Sequence, residues 1–383
     1  MHIVDVIPFK ERYSVTAAGA IALCVDQMAG VETGEVTVLG KACPDPLSGA
    51  RLQPVPSFYL TWRFKAAYVM GWEALFYFEG LRRALRRAKP DVIHVHNRPL
   101  MAVMLQREFP EVPVFLFLHN DPMEMRELRP PKSIGDQLGI LAGIIALSGW
   151  IEDRLYEAVP GVPRHLVQRI ANVVATEAAA IPDDELFAGK EKVVLFVGRI
   201  VGSKGALPFA EAMAPLLDAH PDWRAVALGG FRMGTTDCSQ PSEYQTAFLD
   251  AVKRHERLSF LGPRPFAETM DWMRRAAVLV VPSRHKEAFA RVAVEGMFSG
   301  AALAVCKMGG ALTEIAPEES GAVHFDAPAA DQIAAAVGPL MADDADRLAR
   351  ARRGRAYAEA HYAPAALGRK IDELHRAALE QRQ

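Results

Sequence analysis

The chain has 383 residues, a formal net charge of -2 and a sequence pI near 6.6, and half of its residues are hydrophobic. That length suits two cores of roughly 150 to 200 residues better than one, and the weak negative charge excludes a general attraction to nucleic acid. The four cysteines, Cys24, Cys43, Cys238 and Cys306, lie far apart without C-x-x-C spacing, which points to reduced thiols and a cytosolic compartment.

The opening run MHIVDVIPFKER reads as a first strand, since it lacks the basic start and long apolar core of a signal peptide. A helical segment, TAAGAIALCVDQMA, carries Gly19, and EVTVLG follows as a second strand. Residues 62–89 form a long helical pattern combining Trp62, Tyr68, Trp72, Phe76, Tyr77 and Phe78 with Arg82, Arg83, Arg86, Arg87 and Lys89. Next, DVIHVHNRP places His94 and His96 on one face of a strand, because side chains alternate with period two. An H-x-H pair at a strand end can ligate zinc, but that reading needs further ligands on the strand ends of a closed barrel, which this pattern does not offer. VPVFLFLH ends at His119, followed by Asn120 and Asp121, and GIIALS is the next strand. The uncharged region around 137–151 is shorter than the roughly 20 residues of a spanning helix and is broken by Gly139, Gly143 and Gly149. No transmembrane segment is expected.

A polar patch, IPDDELFAGKEK at 181–192, reads as the interdomain linker and precedes a second series of strands: VVLFVG, RAVALGG, LSFLG, AVLVVPS, ALAVC and GAVHF. Strands alternating with helical patterns are the grammar of βαβ units and parallel sheets. The expected division is a first Rossmann-like domain over 1–182, a second over 190–363, and a C-terminal helix over 364–383 that returns to the first. Asp343, Asp344 and Asp346 form a D-x-D at the start of a helical run and read as caps.

Two constellations carry chemistry. In VLFVGRIVGSKG a strand leads into a glycine-punctuated loop holding Arg199 and Lys204 ahead of a helix. A guanidinium fork, a compact ammonium and a helix dipole together suit a diphosphate, although surface loops commonly carry such cations too. The loop lacks Walker A spacing, and neither first strand leads into G-x-G-x-x-G, which counts against a dinucleotide cofactor. The second constellation is KEAFARVAVEG, residues 286–296, where Glu287 and Glu295 stand eight positions apart at the end of a buried-strand pattern. Ligands of open α/β sheets bind at such strand ends, whereas an acid in a first helical turn is also favoured by the dipole alone. A glycosidase pair would need a second carboxylate arm across the scissile bond, and the local sequence supplies none.

Taken together, GRIVGSKG, FLGPRPFAETMDWMRRAAVLVVPS and KEAFARVAVEG resemble the retaining glycosyltransferases of family 4. The resemblance covers nearly the whole chain, with the E-x7-E motif as its sharpest element. It implies the GT-B fold, an α/β architecture of two facing Rossmann-like domains with parallel sheets and a central cleft. It further implies a metal-independent hexosyltransferase with a nucleotide-diphosphate sugar as donor substrate and no cofactor. By position, Glu295 matches the carboxylate that holds the donor ribose, and Glu287 the one near hydroxyls of the donor sugar. Arg199 and Lys204 match the diphosphate-binding pair, with backbone N–H groups around Ala288, Phe289, Ala290, Arg291 and Val292 reaching the same phosphate. Pro263 and Arg264 match the base-reading loop, and Gly19 one member of a Gly-Gly pair. Catalysis is thereby assigned to His119, Glu287, Arg199 and Lys204, with His119 orienting the sugar, while His96 and Asn97 fall on the acceptor side. Ser148 and Asn172 match structural landmarks. This sequence departs from the family at Ala290, where Gly is common, at Arg291, where an apolar residue is frequent, and beside Gly19, where a second glycine is missing.

The acceptor implied is a glycan or lipid-linked saccharide, as in lipopolysaccharide or exopolysaccharide synthesis in bacteria. The aromatic and basic 62–89 stretch also fits contact with anionic lipid at the inner face of the cytoplasmic membrane, or else a Rossmann helix with core aromatics and a solvated basic end. An isomerase or phosphorylase on the same frame, or a non-catalytic sugar-binding protein, are the alternatives to transfer.

Overall fold

The computed structural model describes residues 1–55, 73–130, 133–231, 237–284 and 286–382, with side chains from Tyr77 onward in the helix that begins at Glu73. The chain divides into two compact units, Met1–Val173 with Pro364–Gln383, and Val174–Ala363.

The first unit is built on seven strands: β1 (His2–Val6), β2 (Glu35–Gly40), β3 (Arg51–Pro54), β4 (Val92–His96), β5 (Val114–Leu118), β6 (Gly143–Ala146) and β7 (Val167–Arg169). All pair in parallel in the order β3-β2-β1-β4-β5-β6-β7. The second has β8 (Glu191–Val197), β9 (Arg224–Leu228), β10 (Leu258–Phe260), β11 (Ala276–Val281), β12 (Ala302–Cys306) and β13 (Val323–Phe325), also parallel, in the order β10-β9-β8-β11-β12-β13. Each sheet therefore reverses its winding beside its own first strand, between β1 and β4 and between β8 and β11. Such switch points leave a crevice at the carboxyl ends of the strands, where open α/β sheets bind ligands.

The central strands are buried along their whole length, as in VFLFL of β5 and AAVLVV of β11. Covered on both faces by helices, they need apolar side chains at every position, so they show continuous rather than alternating hydrophobicity. Two strands escaped the sequence reading. RLQP and VQR are short, polar edge strands, and Pro54, which cannot donate to a ladder, is tolerated only there.

The polar patch at 181–192 is not the linker. Asp183–Ala188 is a helix with three acids in its first turn, matched to the dipole, and Glu191 already begins β8. Arg355, only 4% exposed, donates to the carbonyls of Ala178, Ala179 and Ile181, which fastens this approach segment to the second unit. The boundary consequently falls at Val173/Val174. The final helix, Pro364–Glu380, packs Leu367 and Ile371 against Ile3, Phe115 and Phe117 of the first unit, while Asp372 accepts from the Thr33 hydroxyl at 2.7 Å.

No described helix is long and apolar enough to cross a membrane. In the helix Glu73–Ala88, Tyr77 is buried and donates to the Ile7 carbonyl, Phe78 is half-buried, and Arg82 and Arg83 pair with Glu79 while Arg86 pairs with Glu108. Trp62, Tyr68, Trp72 and the Phe76 side chain lie outside the described residues. All four cysteines are free, and Asp343 caps the helix Asp344–Tyr362 by accepting from the Ala345 and Asp346 N–H groups.

Candidate active site

In the second unit the two chemical constellations meet at the switch point. The chain leaves β8 through Gly198 and Arg199 and turns at Gly202–Lys204 into the helix Ala206–Ala219. Gly205 makes this possible. It has φ +70°, and a Cβ there would stand 2.2 Å from the Pro282 carbonyl oxygen at the end of β11. The close approach lets Arg284 N–H donate to Ser203 O at 3.0 Å, tying one loop to the other.

Glu287 sits at the centre of that junction. One carboxylate oxygen, Oε1, accepts both the Lys204 ammonium and the Ser283 hydroxyl, the latter at 2.7 Å. Its backbone is clamped by the 309–311 loop, with Glu287 N–H donating to Gly309 O and Ala311 N–H donating to Glu287 O. Arg199 is half-buried, and its guanidinium has no hydrogen-bonding or ionic partner among the described residues. A cation drawn partly out of water without a counter-ion is suited to receive an anionic ligand.

Glu295 is in a different setting. It lies inside the helix Arg291–Phe298, 8% exposed, and accepts from Arg291 one turn earlier at 3.1 Å. The unexpected arginine of the motif is thus the partner of its second glutamate. Ala290 is the N-cap of this helix and is left-handed, at φ 50° and ψ 56°, a conformation in which glycine is normally used because a Cβ crowds the backbone. Ala288 and Phe289 are buried, and the Phe289 ring meets Tyr362 edge-on. Val292 is half-buried in the first turn. Pro263 and Arg264 follow β10 in the same unit, where Arg264 lies 3.6 Å from Glu268.

The first unit holds the remaining expected residues. Gly19 caps the helix Ala20–Ala29, and a Cβ on it would lie 2.3 Å from Glu11 Oε1. Glu11 itself accepts from Ala22 N–H, so a side chain of the protein already covers this helix end. Asn97, at φ 56°, anchors two strand ends, since its Oδ1 accepts from the His119 and Asn120 N–H groups at 2.7 and 3.2 Å. His119, His96, Cys24, Met28 and Asn172 line a small pocket. Ser148 caps the helix Gly149–Ala158.

Behind His119 runs a buried chain of polar groups that the sequence reading did not assemble. His119 Nε2 is 2.8 Å from His96 Nδ1, His96 Nε2 is 2.8 Å from Asp5 Oδ1, and the same oxygen is 3.1 Å from His94 Nδ1. His94 Nε2 in turn lies 2.8 Å from His375 Nε2 on the final helix. Burial pushes the Asp5 carboxyl up, but the imidazoles of His94 and His96 outweigh it and hold Asp5 far below the ordinary carboxylate range. Burial lowers His96, and brings His375 down to about 3 with His94 adding to the effect. With Asp5 ionised and His96 neutral, His96 donates from Nε2 and accepts at Nδ1 from His119 Nε2–H, leaving Nδ1 as the acceptor nitrogen of His119. The clues in the sequence were an Asp within the otherwise apolar strand HIVDV and the H-x-H pair of β4.

Two parallel sheets of Rossmann strand order, with cations and carboxylates at the carboxyl ends of the second, define an α/β protein of the GT-B class. The comparisons agree. The model for glycosyl transferases group 1 matches residues 178–357, and that for glycosyltransferase family 4 matches residues 31–178. Among curated relatives, D-inositol 3-phosphate glycosyltransferase of Thermobispora bispora is 30% identical over 236 residues, which is 60% of this chain and 51% of that protein. The chain therefore spans about half the length of that relative. Among solved structures, sucrose-phosphate synthase of Thermosynechococcus elongatus superposes with a TM-score of 0.78 at 18% identity, covering 100% of both chains. Anabaena HepE in complex with UDP-glucose gives 0.71 at 16% identity, covering 98% of this chain and 99% of its own. The chain belongs to glycosyltransferase family 4.

Proposed function

We propose that the protein transfers a sugar from a nucleotide-diphosphate donor to a glycan or lipid-linked acceptor with retention at the anomeric carbon. The observation that carries this reading is the pair of linked loops at the ends of β8 and β11, which presents Arg199, without a partner among the described residues, together with Lys204, already bonded to Glu287. Arg199 and Lys204 are assigned to the diphosphate, where they stabilise charge that builds on the leaving group without a metal there. The N-terminus of the helix Arg291–Phe298 adds its dipole to the same anion. Glu295 is assigned to the ribose, accepting from two hydroxyls at once, and Glu287 to the donor sugar. His119 is assigned to sugar orientation. In a front-side step the glycosidic C–O bond to the β-phosphate breaks and the acceptor hydroxyl bonds to the same face of the anomeric carbon. The departing phosphate oxygen takes the hydroxyl proton, so no protein base is required.

A role in bacterial surface polysaccharide synthesis, inside the cell and at the membrane surface, is part of the same proposal and rests on the family resemblance alone. Sedimentation with anionic liposomes tests the membrane part, and the protein remaining in the supernatant would sink it. The transfer reading is tested by incubating the protein with nucleotide sugars and candidate acceptors while following nucleoside diphosphate release and the anomeric proton coupling of the product. Release with retained configuration is expected. Binding without turnover across a broad acceptor panel would favour a sugar-binding role.

A further inference from the structure

The polar chain behind His119 is more than a relay, because its inner end collects more charge and more unsatisfied atoms than hydrogen bonding explains. Asp5, Glu32, His94 and His96 are 0 to 8% exposed. Asp5 Oδ1 lies 3.1 Å from His94 Nδ1 and 2.8 Å from His96 Nε2, and Glu32 Oε1 lies 3.8 Å from the same His94 nitrogen. One ligand atom each from Asp5, His94 and His96 fits within 4.8 Å of the others. Both Glu32 oxygens and Asp5 Oδ2 are buried without a hydrogen-bond partner among the described residues. Two carboxylates thus share a dry space with imidazoles, and no Lys or Arg pairs with either, again among the described residues.

Buried acids need either protons or a cation. A proton on Glu32 removes its charge but leaves its new O–H as unsatisfied as the oxygens were. A divalent ion offsets the charge of both carboxylates and takes up lone pairs of Asp5. The ligand set discriminates among ions. Calcium and magnesium favour all-oxygen shells, whereas two imidazoles with carboxylates suit zinc and its transition-metal neighbours.

We propose that the first unit holds a buried divalent transition-metal ion on Asp5, His94 and His96, with Glu32 beside His94 as a carboxylate that balances its charge. The ion knits β1 to β4, and His375 braces His94 from the final helix. It also changes what His119 presents. A metal on His96 Nε2 leaves the proton of that ring on Nδ1, which then donates to His119 Nε2 and puts the His119 proton on Nδ1. That tautomer is the reverse of the one set by the metal-free chain. The site is independent of the donor-binding reading and stands or falls separately.

The test uses the tag-free full chain, its metal content measured by mass spectrometry after expression with added Zn2+, then stripping with a chelator and titration with Zn2+ or Co2+. About one equivalent per chain is expected, with a melting temperature that falls on stripping and rises by roughly 5–10 °C when Zn2+ reaches about 100 times its Kd. Co2+ should give visible absorption of a nitrogen and oxygen site. Since His94→Gln risks misfolding, Glu32→Gln serves as the second variant. It keeps the shape and is expected to weaken Zn2+ binding by about 10–100-fold while leaving the stripped protein as stable as before or more so. Substoichiometric metal with no Zn2+-dependent shift would overturn the proposal. So would Zn2+ binding in both the Glu32→Gln and His94→Gln proteins as strong as in the unaltered chain, which would mark adventitious surface sites.

Discussion

Ala290 allows the strain in the donor loop to be weighed directly. It is 6% exposed and left-handed, and Ala293, three residues later in the same helix, is 0% exposed with ordinary helical backbone. Replacing either by glycine removes one buried methyl, worth about 0.8 kcal/mol, and gives the unfolded chain more freedom, worth about 0.4–1 kcal/mol. Ala293→Gly should therefore cost about 1.5 kcal/mol. At position 290 the same losses are offset by release of about 1–2 kcal/mol of left-handed strain, so Ala290→Gly should be close to neutral. Urea unfolding of both variants, followed by a probe in the second unit, measures the difference. A gap of about 1–2 kcal/mol is expected, and equal costs at the two positions would refute the strain argument. Ala290→Val, which puts a β-branched side chain at positive φ, should be far worse than either.

Other outcomes follow from the same geometry. Glu295→Gln should lower donor affinity by roughly 10–100-fold, the value of one charge-assisted hydrogen bond, as read by calorimetric titration with the donor. Glu287→Gln, which breaks the bond to Lys204, should reduce kcat by at least about 10-fold more than it raises KM, as steady-state kinetics would show. Arg355→Met leaves the carbonyls of Ala178, Ala179 and Ile181 without their donor, and should destabilise the second unit by about 3 kcal/mol in denaturant unfolding. Lys190, ringed by the carbonyls of Ser299, Ala276 and Met273, is pulled down to about 7 by burial, with Arg274 and Arg355 adding to the effect. Between that value and the usual 10.5 the unfolded chain carries a proton the folded one lacks. Stability should rise with pH across this window by up to about 1.4 kcal/mol per unit, and Lys190→Met should flatten the slope.

The interior strands were legible because burial on both faces leaves an unbroken apolar run, and the loop cations and E-x7-E acids because they fall at the ends of such runs. The edge strands β3 and β7 were not, since one free edge relaxes the demand for apolar, β-branched residues. Nor does residue type reveal the left-handed Ala290, a conformation alanine rarely takes, or the pairing of Arg291 with Glu295. The histidine chain was hidden for a different reason. Apart from the neighbours His94 and His96, its members Asp5, His119 and His375 lie far apart in sequence, and only the pairing of β4 with β1 and β5 and the return of the final helix bring them together.

The central claim is that the loops after β8 and β11 hold a nucleotide-diphosphate sugar. Thermal shift of the purified chain with UDP-, GDP-, ADP- and TDP-sugars tests it, because stabilisation grows with ligand concentration over Kd and reaches about 2.7 kcal/mol at 100 times Kd. The account predicts a saturable shift with at least one of them that is lost in Arg199→Ala. No shift with any donor, or an undiminished shift in Arg199→Ala, would contradict it.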